Sequence, residues 1–292
     1  MIIETQNGSA ARTASAPGTP AARRLIVNAD DFGRSRSINE AIIRAHREGI
    51  LTTASLMVNE KGAAEAVQLA RENPRLGVGL HLSLLCGISA LPPAQIPGLV
   101  NEAGEFTNSP VGAGMRYFFR RGLRDQLRNE IRAQFDLFRR TGLRMDHVNG
   151  HLHLHLHPTI FRLLMDEAEA FGIRRLRLTR DPFRLNASIA SGQWLYRFTH
   201  AGIYTVLSAT ARPALRTRGI RHTDRVFGLL QNARVDERFV HALLEKLPDG
   251  DSELYSHPSL DEFKHEFEAL MSPRARSQIE SRGIQLIRYQ DL

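Results

Sequence analysis

The sequence predicts an α/β fold with a largely parallel sheet. From residue 23 onward, short apolar runs alternate with stretches of helical periodicity, which is typical of βα units. Polar residues suited to chemistry follow several of these apolar runs directly. The chain has 292 residues and shows no internal repeat or linker. We therefore expect a single domain over residues 23–292.

The apolar runs give the expected strands and the periodic stretches give the expected helices. Strands are expected at residues 25–29, 51–58, 76–82, 143–148, 174–178, 252–256 and 284–289. Helices are expected at residues 37–48, 60–72, 123–138, 158–171, 237–246 and 261–270, with a mostly helical region at 185–221. Ser35 or Ser37 caps the first helix and Gly49 ends it. Residues 86–114 form a long excursion, and such loops are usually functional or mobile.

The composition limits the setting in which the protein works. Residues 1–22 are rich in small and polar residues and lack the apolar core of a secretory signal, so we expect a disordered tail. No apolar run reaches the roughly eighteen residues of a membrane-spanning helix. The single cysteine, Cys86, excludes a disulfide framework and a cysteine-based zinc site. These features favour the cytoplasm.

The net charge of +8 comes almost entirely from arginine. Such a balance suits contact with a membrane, a nucleic acid or another anionic surface. The alternative is a solvated face of arginines with no partner.

Two adjacent acids, Asp30 and Asp31, follow the apolar run at residues 25–27. Neighbouring carboxylates at the end of a buried strand are costly, because each disfavours the ionisation of the other and both resist desolvation. A turn or a helix cap explains either residue alone, but it explains the pair poorly. The pair is typical of a site in which a cation is bound or one carboxylate acts as a base.

Four histidines alternate with leucines in the sequence HLHLHLH at residues 151–157. In a strand, all four would lie on one face. In a helix, His151 would pair with His155 and His153 with His157, at a spacing that holds zinc. Pro158 instead favours a loop that leads into a helix, so we expect one or two of these histidines to point into a site.

Candidate site residues stand at the ends of four expected strands. The acid pair follows the first strand, His81 closes the third, and His151 and His257 follow two later ones. Because the carboxyl ends of parallel strands meet at one rim, these residues are expected to share a pocket. A structural role would explain His81 alone, and His257 alone is a weak signal. The acids and histidines together indicate a metal-dependent hydrolase.

These residues resemble the YdjC-like carbohydrate deacetylases, which remove acetyl groups from N-acetylated sugars. The resemblance runs from residue 25 to the C-terminus and is carried by LIVNADDFG at 25–33, GLHL at 79–82, DHVNGHLHLH at 146–155 and SHP at 256–258. It implies a distorted (β/α) barrel, similar to a TIM barrel.

The resemblance also implies roles for individual residues. By position, the family's metal triad falls on Asp31, His81 and His151, and its catalytic base on Asp30. His155 and His257 match site histidines, either of which is placed to protonate the departing amine. The implied cofactor is one divalent ion, Mg²⁺ from the resemblance, with Zn²⁺ chemically suited to two imidazoles. Asn149 stands where chitooligosaccharide-cleaving members can carry an acid, which leaves the sugar specificity open.

Within the family, the chain is most similar to the HpnK branch, which is associated with hopanoid biosynthesis. SLMV at 55–58, YFFR at 117–120 and residues 146–157 carry this similarity. It implies a glycosylated hopanoid substrate and peripheral contact with the inner membrane. The expected exposed aromatics Tyr117, Phe118 and Phe119 on an arginine-rich helix over 116–140, the aromatics of 194–204 and the arginines of 212–221 suit a lipid headgroup layer. Alternatively, the aromatics pack in the outer core of the barrel.

Other functions are consistent with parts of the sequence. A deacetylase of soluble chitooligosaccharides would need the same residues. A phosphoesterase with alternating histidines would usually need more carboxylates and two metals. A basic nucleic-acid-binding protein would explain the charge, but the chain has no recognised nucleic-acid motif. We expect no nucleic-acid partner, an acetylated sugar or glycolipid as substrate, and a homodimer as the assembly.

Overall fold

The computed structural model describes residues 22–292 and is built around a curved, all-parallel sheet. The strands follow the order β4-β3-β2-β1-β6-β5, and β7 pairs with β1. Their bounds are β1 Arg23–Phe32, β2 Thr53–Leu56, β3 Gly77–Leu82, β4 Met145–Gly150, β5 Arg225–Phe227, β6 Gly250–Ser256 and β7 Gln285–Leu286. The expected tail at residues 1–22 lies outside the described residues, apart from Ala22.

Ten α-helices surround the described sheet. They are α1 Arg36–Glu48, α2 Ala63–Glu72, α3 Pro110–Phe119, α4 Arg124–Arg140, α5 Pro158–Asp166, α6 Phe183–Ile189, α7 Trp194–Thr217, α8 Glu237–Glu245, α9 Lys264–Met271 and α10 Pro273–Ser281. Ser35 caps α1 as expected, because its side chain accepts a hydrogen bond from the Ile38 N–H.

The segment at residues 174–180 lies between the two outer strands of the sheet. It makes single parallel bridges from Leu176 to Val148 of β4 and from Arg175 to Arg221. The Arg180 carbonyl also accepts a hydrogen bond from Val226 in β5. These contacts curl the sheet into a distorted barrel, which confirms the predicted fold class.

The central strand, β1, ends at the acid pair. Eight of its ten residues are buried, because β2 and β6 flank it and α1 packs against it. Its register shifts between Ala29 and Phe32, and Asp31 has a φ of 65°. Such a left-handed conformation is costly for a residue with a Cβ and is found mostly at functional sites.

Several sequence-based boundaries were wrong. The strand expected at 174–178 forms only isolated bridges, and the strand expected at 284–289 is two residues long and leads into a 3₁₀ turn. The helix expected over 116–140 is two helices, α3 and α4, separated by a 3₁₀ turn that contains Gly122. The elements β5 and α10 and the start of α3 were not predicted. The strand β5 has three residues, α10 is short and mostly polar, and α3 contains two glycines, so each gives a weak periodic signal.

Two side chains of α4 form hydrogen bonds with the backbone of the excursion between β3 and α3. The buried Glu130 carboxylate accepts the N–H groups of Ala90 and Leu91 at 2.8 and 3.0 Å. The Gln134 amide accepts the Ser83 N–H at 2.9 Å and donates to the Ser83 carbonyl. The first part of this long excursion, from Ser83 to Leu91, is therefore fixed to α4 by hydrogen bonds.

We predict that Glu130→Ala destabilises the protein by about 1–3 kcal/mol, because two buried N–H groups lose their acceptor. Denaturant unfolding measures the loss, and faster amide exchange at Ala90 and Leu91 locates it. Asn129→Ala, at an exposed position of the same helix, is the control and should change stability by less than about 0.5 kcal/mol. Equal stability of the two variants would contradict the role of Glu130.

Candidate active site

The carboxyl ends of β1, β3, β4 and β6 meet at one edge of the sheet. Asp30 and Asp31 lie at the end of β1, and His81 lies near the end of β3. His151 directly follows β4, and His257 directly follows β6. The structure therefore places these residues, from four separate strands, at one edge of the sheet, as expected from their positions at strand ends.

Asp31, His81 and His151 form a buried cluster of potential metal ligands. The Asp31 Oδ1 atom is 2.9 Å from His151 Nδ1 and 3.3 Å from His81 Nε2. One ligand atom from each of the three residues lies within 4.8 Å of the others. Within the described residues, His81 Nε2 is buried and has no hydrogen-bond partner. A buried, unpaired imidazole nitrogen beside a carboxylate fits a divalent cation.

The orientation of His81 is set by Asn149. The Asn149 Nδ2 donates to the Asp30 carboxylate at 3.1 Å and to Ser55 Oγ, so its Oδ1 faces His81. The 2.7 Å contact from that oxygen to His81 Nδ1 requires a proton on Nδ1, which leaves the lone pair of Nε2 directed at Asp31. Asn149 is fully buried, so the geometry favours an orienting role over contact with a sugar.

His151 is charged when no cation is bound. Burial acts to lower the pKa of His151, but the adjacent Asp31 carboxylate outweighs burial and raises that pKa to about 10. An imidazole must lose its proton before it binds a metal. Binding of a metal ion by these residues would therefore be coupled to proton release.

The segment from His151 to His157 is neither a strand nor an α-helix. Residues His151–Leu156 form 3₁₀ turns in which Leu152 and His153 have φ values of 48° and 57°. The side chains of the four histidines therefore point to different partners: His151 to Asp31, His153 to Tyr255 and Thr179, His155 to the Arg177 carbonyl, and His157 to the Gly114 carbonyl. Neither the helical pairing of these histidines nor the common strand face occurs. The expected loop leading into a helix is confirmed, since α5 begins at Pro158.

His155 is a neutral, buried residue. Burial lowers the pKa of His155 to about 3. Its Nε2 donates to the Arg177 carbonyl at 2.9 Å, so the ring supports the chain beside the site. These properties favour a structural role over proton donation.

Asp30 is held as a carboxylate by a cation and two amides. Arg177 binds both of its oxygens, with Nη1 2.7 Å from Oδ2 and Nη2 3.0 Å from Oδ1. The side-chain amides of Asn28 and Asn149 also donate to Oδ1. Burial acts to raise the pKa of Asp30, but Arg177 and the nearby histidines outweigh burial and hold that pKa well below its usual range. Asp30 is therefore ionised.

Arg177 also binds a second buried carboxylate. Its Nε and Nη2 lie 3.0 and 2.7 Å from Glu253 Oε1, and its guanidinium lies 4.5 Å from the centre of the Tyr255 ring. The Tyr289 hydroxyl donates to the other oxygen of Glu253. Sequence reasoning missed this network, since the local sequence RRLRL gives no sign of which arginine is buried.

His257 is paired with a buried acid from α9. Its Nδ1 is 3.7 Å from Glu266 Oε2, and its backbone N–H donates to the same carboxylate. Burial acts to lower the pKa of His257, but Glu266 outweighs burial and raises that pKa. His257 is therefore better able to hold a proton than an ordinary histidine.

A cavity of about 360 Å³ opens above these groups. Asp30, Asp31 and His257 line it together with Arg34 and Phe263. Ligand pockets in proteins have volumes from roughly 300 Å³ upward, so the cavity can take a small polar ligand such as a sugar ring. Its walls place an ionised carboxylate and a proton-holding imidazole around the same space.

Relatives named as deacetylases match this chain, two of them over nearly its whole length. A carbohydrate deacetylase of Geobacillus stearothermophilus is 32% identical over 286 residues, covering 92% of this chain and 98% of the relative. A chitooligosaccharide deacetylase of Serratia marcescens is 31% identical, covering 92% and 98%. A carbohydrate deacetylase of Brevibacillus brevis is 41% identical over 151 residues, which span 51% of this chain and 57% of that relative.

A solved structure and a family model also match this chain. A crystal structure from Enterococcus faecalis V583, of a protein named as a candidate for cellobiose-phosphate cleavage, aligns with a TM-score of 0.70 and 25% identity, covering 93% of this chain and 99% of that one. The family model described as YdjC-like protein matches residues 24–281, which include every residue of the candidate site. The chain therefore belongs to the YdjC-like protein family.

Proposed function

We propose that this protein is a metal-dependent deacetylase that hydrolyses the acetamide of an N-acetylated amino sugar. The observation that carries the proposal is the position of the Asp31, His81 and His151 cluster beside the ionised Asp30. His257 faces the same cavity. The relatives named as carbohydrate and chitooligosaccharide deacetylases support this reaction class.

Asp31, His81 and His151 would hold one divalent ion. The unpaired His81 Nε2 and the mixed carboxylate and imidazole donors fit such an ion. The family resemblance implies Mg²⁺, and two imidazoles also suit Zn²⁺. When bound, a divalent ion polarises an acetyl carbonyl and lowers the pKa of water.

Asp30 acts as the general base. Its ionised carboxylate lines the cavity, so it is placed to accept a proton from the attacking water while the acetamide carbon is attacked. Arg177 is a positioning residue, because its two parallel hydrogen bonds fix both oxygens of Asp30. Asn149 orients Asp30 and His81 together.

His257 supplies the proton that the departing amine needs. The Glu266 carboxylate raises the pKa of His257 and fixes the position of its backbone, so the ring can be protonated at the start of the reaction. His155 was the other candidate donor. Its pKa of about 3 leaves it neutral, and its Nε2 proton is already used by the Arg177 carbonyl.

We further propose that the acetylated sugar is carried by a lipid, as the HpnK resemblance implies, with a glycosylated hopanoid as the specific candidate. The enzyme would then work in the cytoplasm at the inner membrane, as a peripheral protein and as a homodimer. Two of the three aromatics from the YFFR sequence support surface contact, because Phe118 and Phe119 are exposed. The prediction that Tyr117 is exposed was wrong: its ring is buried and its hydroxyl donates to the Leu84 carbonyl.

A soluble chitooligosaccharide is the second candidate substrate. It is favoured by the Serratia relative, which matches 92% of this chain and is named for that substrate. Both candidates use the same acetamide chemistry. They differ in whether the sugar is free in water or attached to a lipid.

The first test concerns the metal ligands. His81→Ala and His151→Ala should each weaken binding of Mg²⁺ or Zn²⁺ by roughly 100-fold or more, because each removes one of three protein ligands. Metal content after reconstitution and dialysis measures this, with circular dichroism to verify the fold. His265→Ala, at an exposed position on α9, is the control and should bind metal normally. Full occupancy in both site variants would refute the ligand assignment.

The second test separates the two acids. Asp30→Asn should keep the metal but lower kcat by roughly 100- to 10,000-fold, because an amide cannot accept the proton of the water. Asp31→Asn should weaken metal binding itself. Asp261→Asn is the matched control, since Asp261 lines the same cavity at an exposed position. If Asp30→Asn retained normal turnover with metal bound, the base would have to be another group.

The third test identifies the substrate. Acetate release is measured from an N-acetylglucosaminyl hopanoid in detergent micelles and from chitooligosaccharides, each with added Mg²⁺ or Zn²⁺. We expect a kcat/KM at least about tenfold higher for the glycolipid, since its lipid part adds apolar contacts. A preference for the soluble sugar would reject the lipid substrate and keep the deacetylase. No acetate from either would reject the deacetylase.

A further inference from the structure

Helix α7 presents an apolar face to solvent. Among its exposed residues are Trp194 and Phe198, which are 51% and 70% exposed, and Leu195 at 81%. Ile203 and Val206 continue this face at 53% and 62%. A surface helix of a globular protein normally turns its apolar side inward. A helix that exposes this many large apolar side chains is a candidate site of interaction.

Helix α3 presents a second apolar face. At least half of the surface of each of four apolar side chains is exposed: Val111, Met115, Phe118 and Phe119. In the part of the chain that the structure describes, every large, exposed apolar side chain belongs to α3, to α7 or to Leu152. The exposed apolar surface is therefore confined to one sector of the molecule.

Both helices contact the turns that follow the metal-ligand candidate His151. The Tyr204 hydroxyl of α7 donates to the Leu152 carbonyl at 3.2 Å. The Gly114 carbonyl of α3 accepts from His157 at 3.1 Å. Leu152, which directly follows His151, is itself 47% exposed. The two apolar faces thus flank the turns at residues 151–157, which begin with the metal-ligand candidate His151.

The charge around these helices has a single sign. Residues 106–124 contain four arginines, residues 182–223 contain six, and neither stretch contains an aspartate or a glutamate. Arg120, Arg121, Arg212 and Arg216 are exposed, and no carboxylate of residues 22–292 forms a salt bridge with them. Apolar side chains flanked by unpaired arginines are complementary to the interface of an anionic bilayer.

We infer that α3, α7 and Leu152 form a docking surface for an anionic phospholipid bilayer. The apolar side chains enter the region below the headgroups, and the flanking arginines bind lipid phosphates. Docking in this way brings the turns that carry His151 close to the headgroup layer, where the sugar of a glycolipid would lie. The purpose of docking rests on the proposed function, but the surface itself rests on exposure and charge.

The test is sedimentation with liposomes of phosphatidylcholine alone or with phosphatidylglycerol. The unmodified protein should bind the anionic vesicles at least about tenfold more tightly, and high salt should weaken binding. The triple variant Leu195→Ser, Phe198→Ser, Val206→Ser should lose at least about tenfold in affinity. Arg212→Gln with Arg216→Gln should lose about fivefold for each arginine.

Matched controls separate docking from catalysis and from folding. Arg75→Gln with Arg144→Gln makes the same charge change at exposed positions just before β3 and β4, at the opposite edge of the sheet, and should bind vesicles normally. All variants should deacetylate a soluble chitooligosaccharide at the rate of the unmodified protein, so failure of the proposed function would be seen separately. Equal binding to both kinds of vesicle would overturn the inference. A dimer in solution that the triple variant abolishes, without vesicle binding, would assign the surface to a second copy instead.

Discussion

The fully buried guanidinium of Arg177 lies between two carboxylates, Asp30 on β1 and Glu253 on β6. Removing three charges from water is costly, and the cost is offset only when hydrogen bonds satisfy the charged atoms. Here Arg177 donates four such bonds. Asn28 donates a further bond to Asp30, and Tyr289 donates one to Glu253. The arrangement attaches the segment at 174–180 to the centre of the sheet and fixes the carboxylate that we propose as the base.

The same interaction explains how the chain tolerates adjacent acids. Asp30 faces Arg177, while Asp31 faces two imidazoles and Arg34. The two carboxylates therefore have separate cationic partners, although they are neighbours in sequence. The backbone of Asp31 adopts a left-handed conformation, at the point where the side chains of the two acids turn to different partners. Their different surroundings give the two acids different chemistry, one as a proton acceptor and one as a metal ligand.

The sequence was sufficient to predict the residues that stand at strand ends. Asp30, His81 and His257 could be placed at one rim because strand periodicity and parallel topology fix where such residues lie. Arg177 and Glu266 could not be found in this way, since each acts through a partner that is distant in sequence and nothing local reports its burial. Pro158 predicted the loop after β4, but the directions of its histidines could not be predicted, because the left-handed residues Leu152 and His153 override the alternating pattern. Helix α3 was missed because Gly112 and Gly114 lower its helical propensity.

The segment at 174–180 joins β4 to β5 through a few isolated bridges, not through a continuous ladder. Fewer hydrogen bonds must therefore break to open the barrel here than between β1 and its neighbours. Because Arg177 belongs to this segment, an opening that moves Arg177 would carry the guanidinium away from Asp30 and leave that buried carboxylate without its main cation. The closure of the barrel and the electrostatic hold on the proposed base are therefore linked through one side chain.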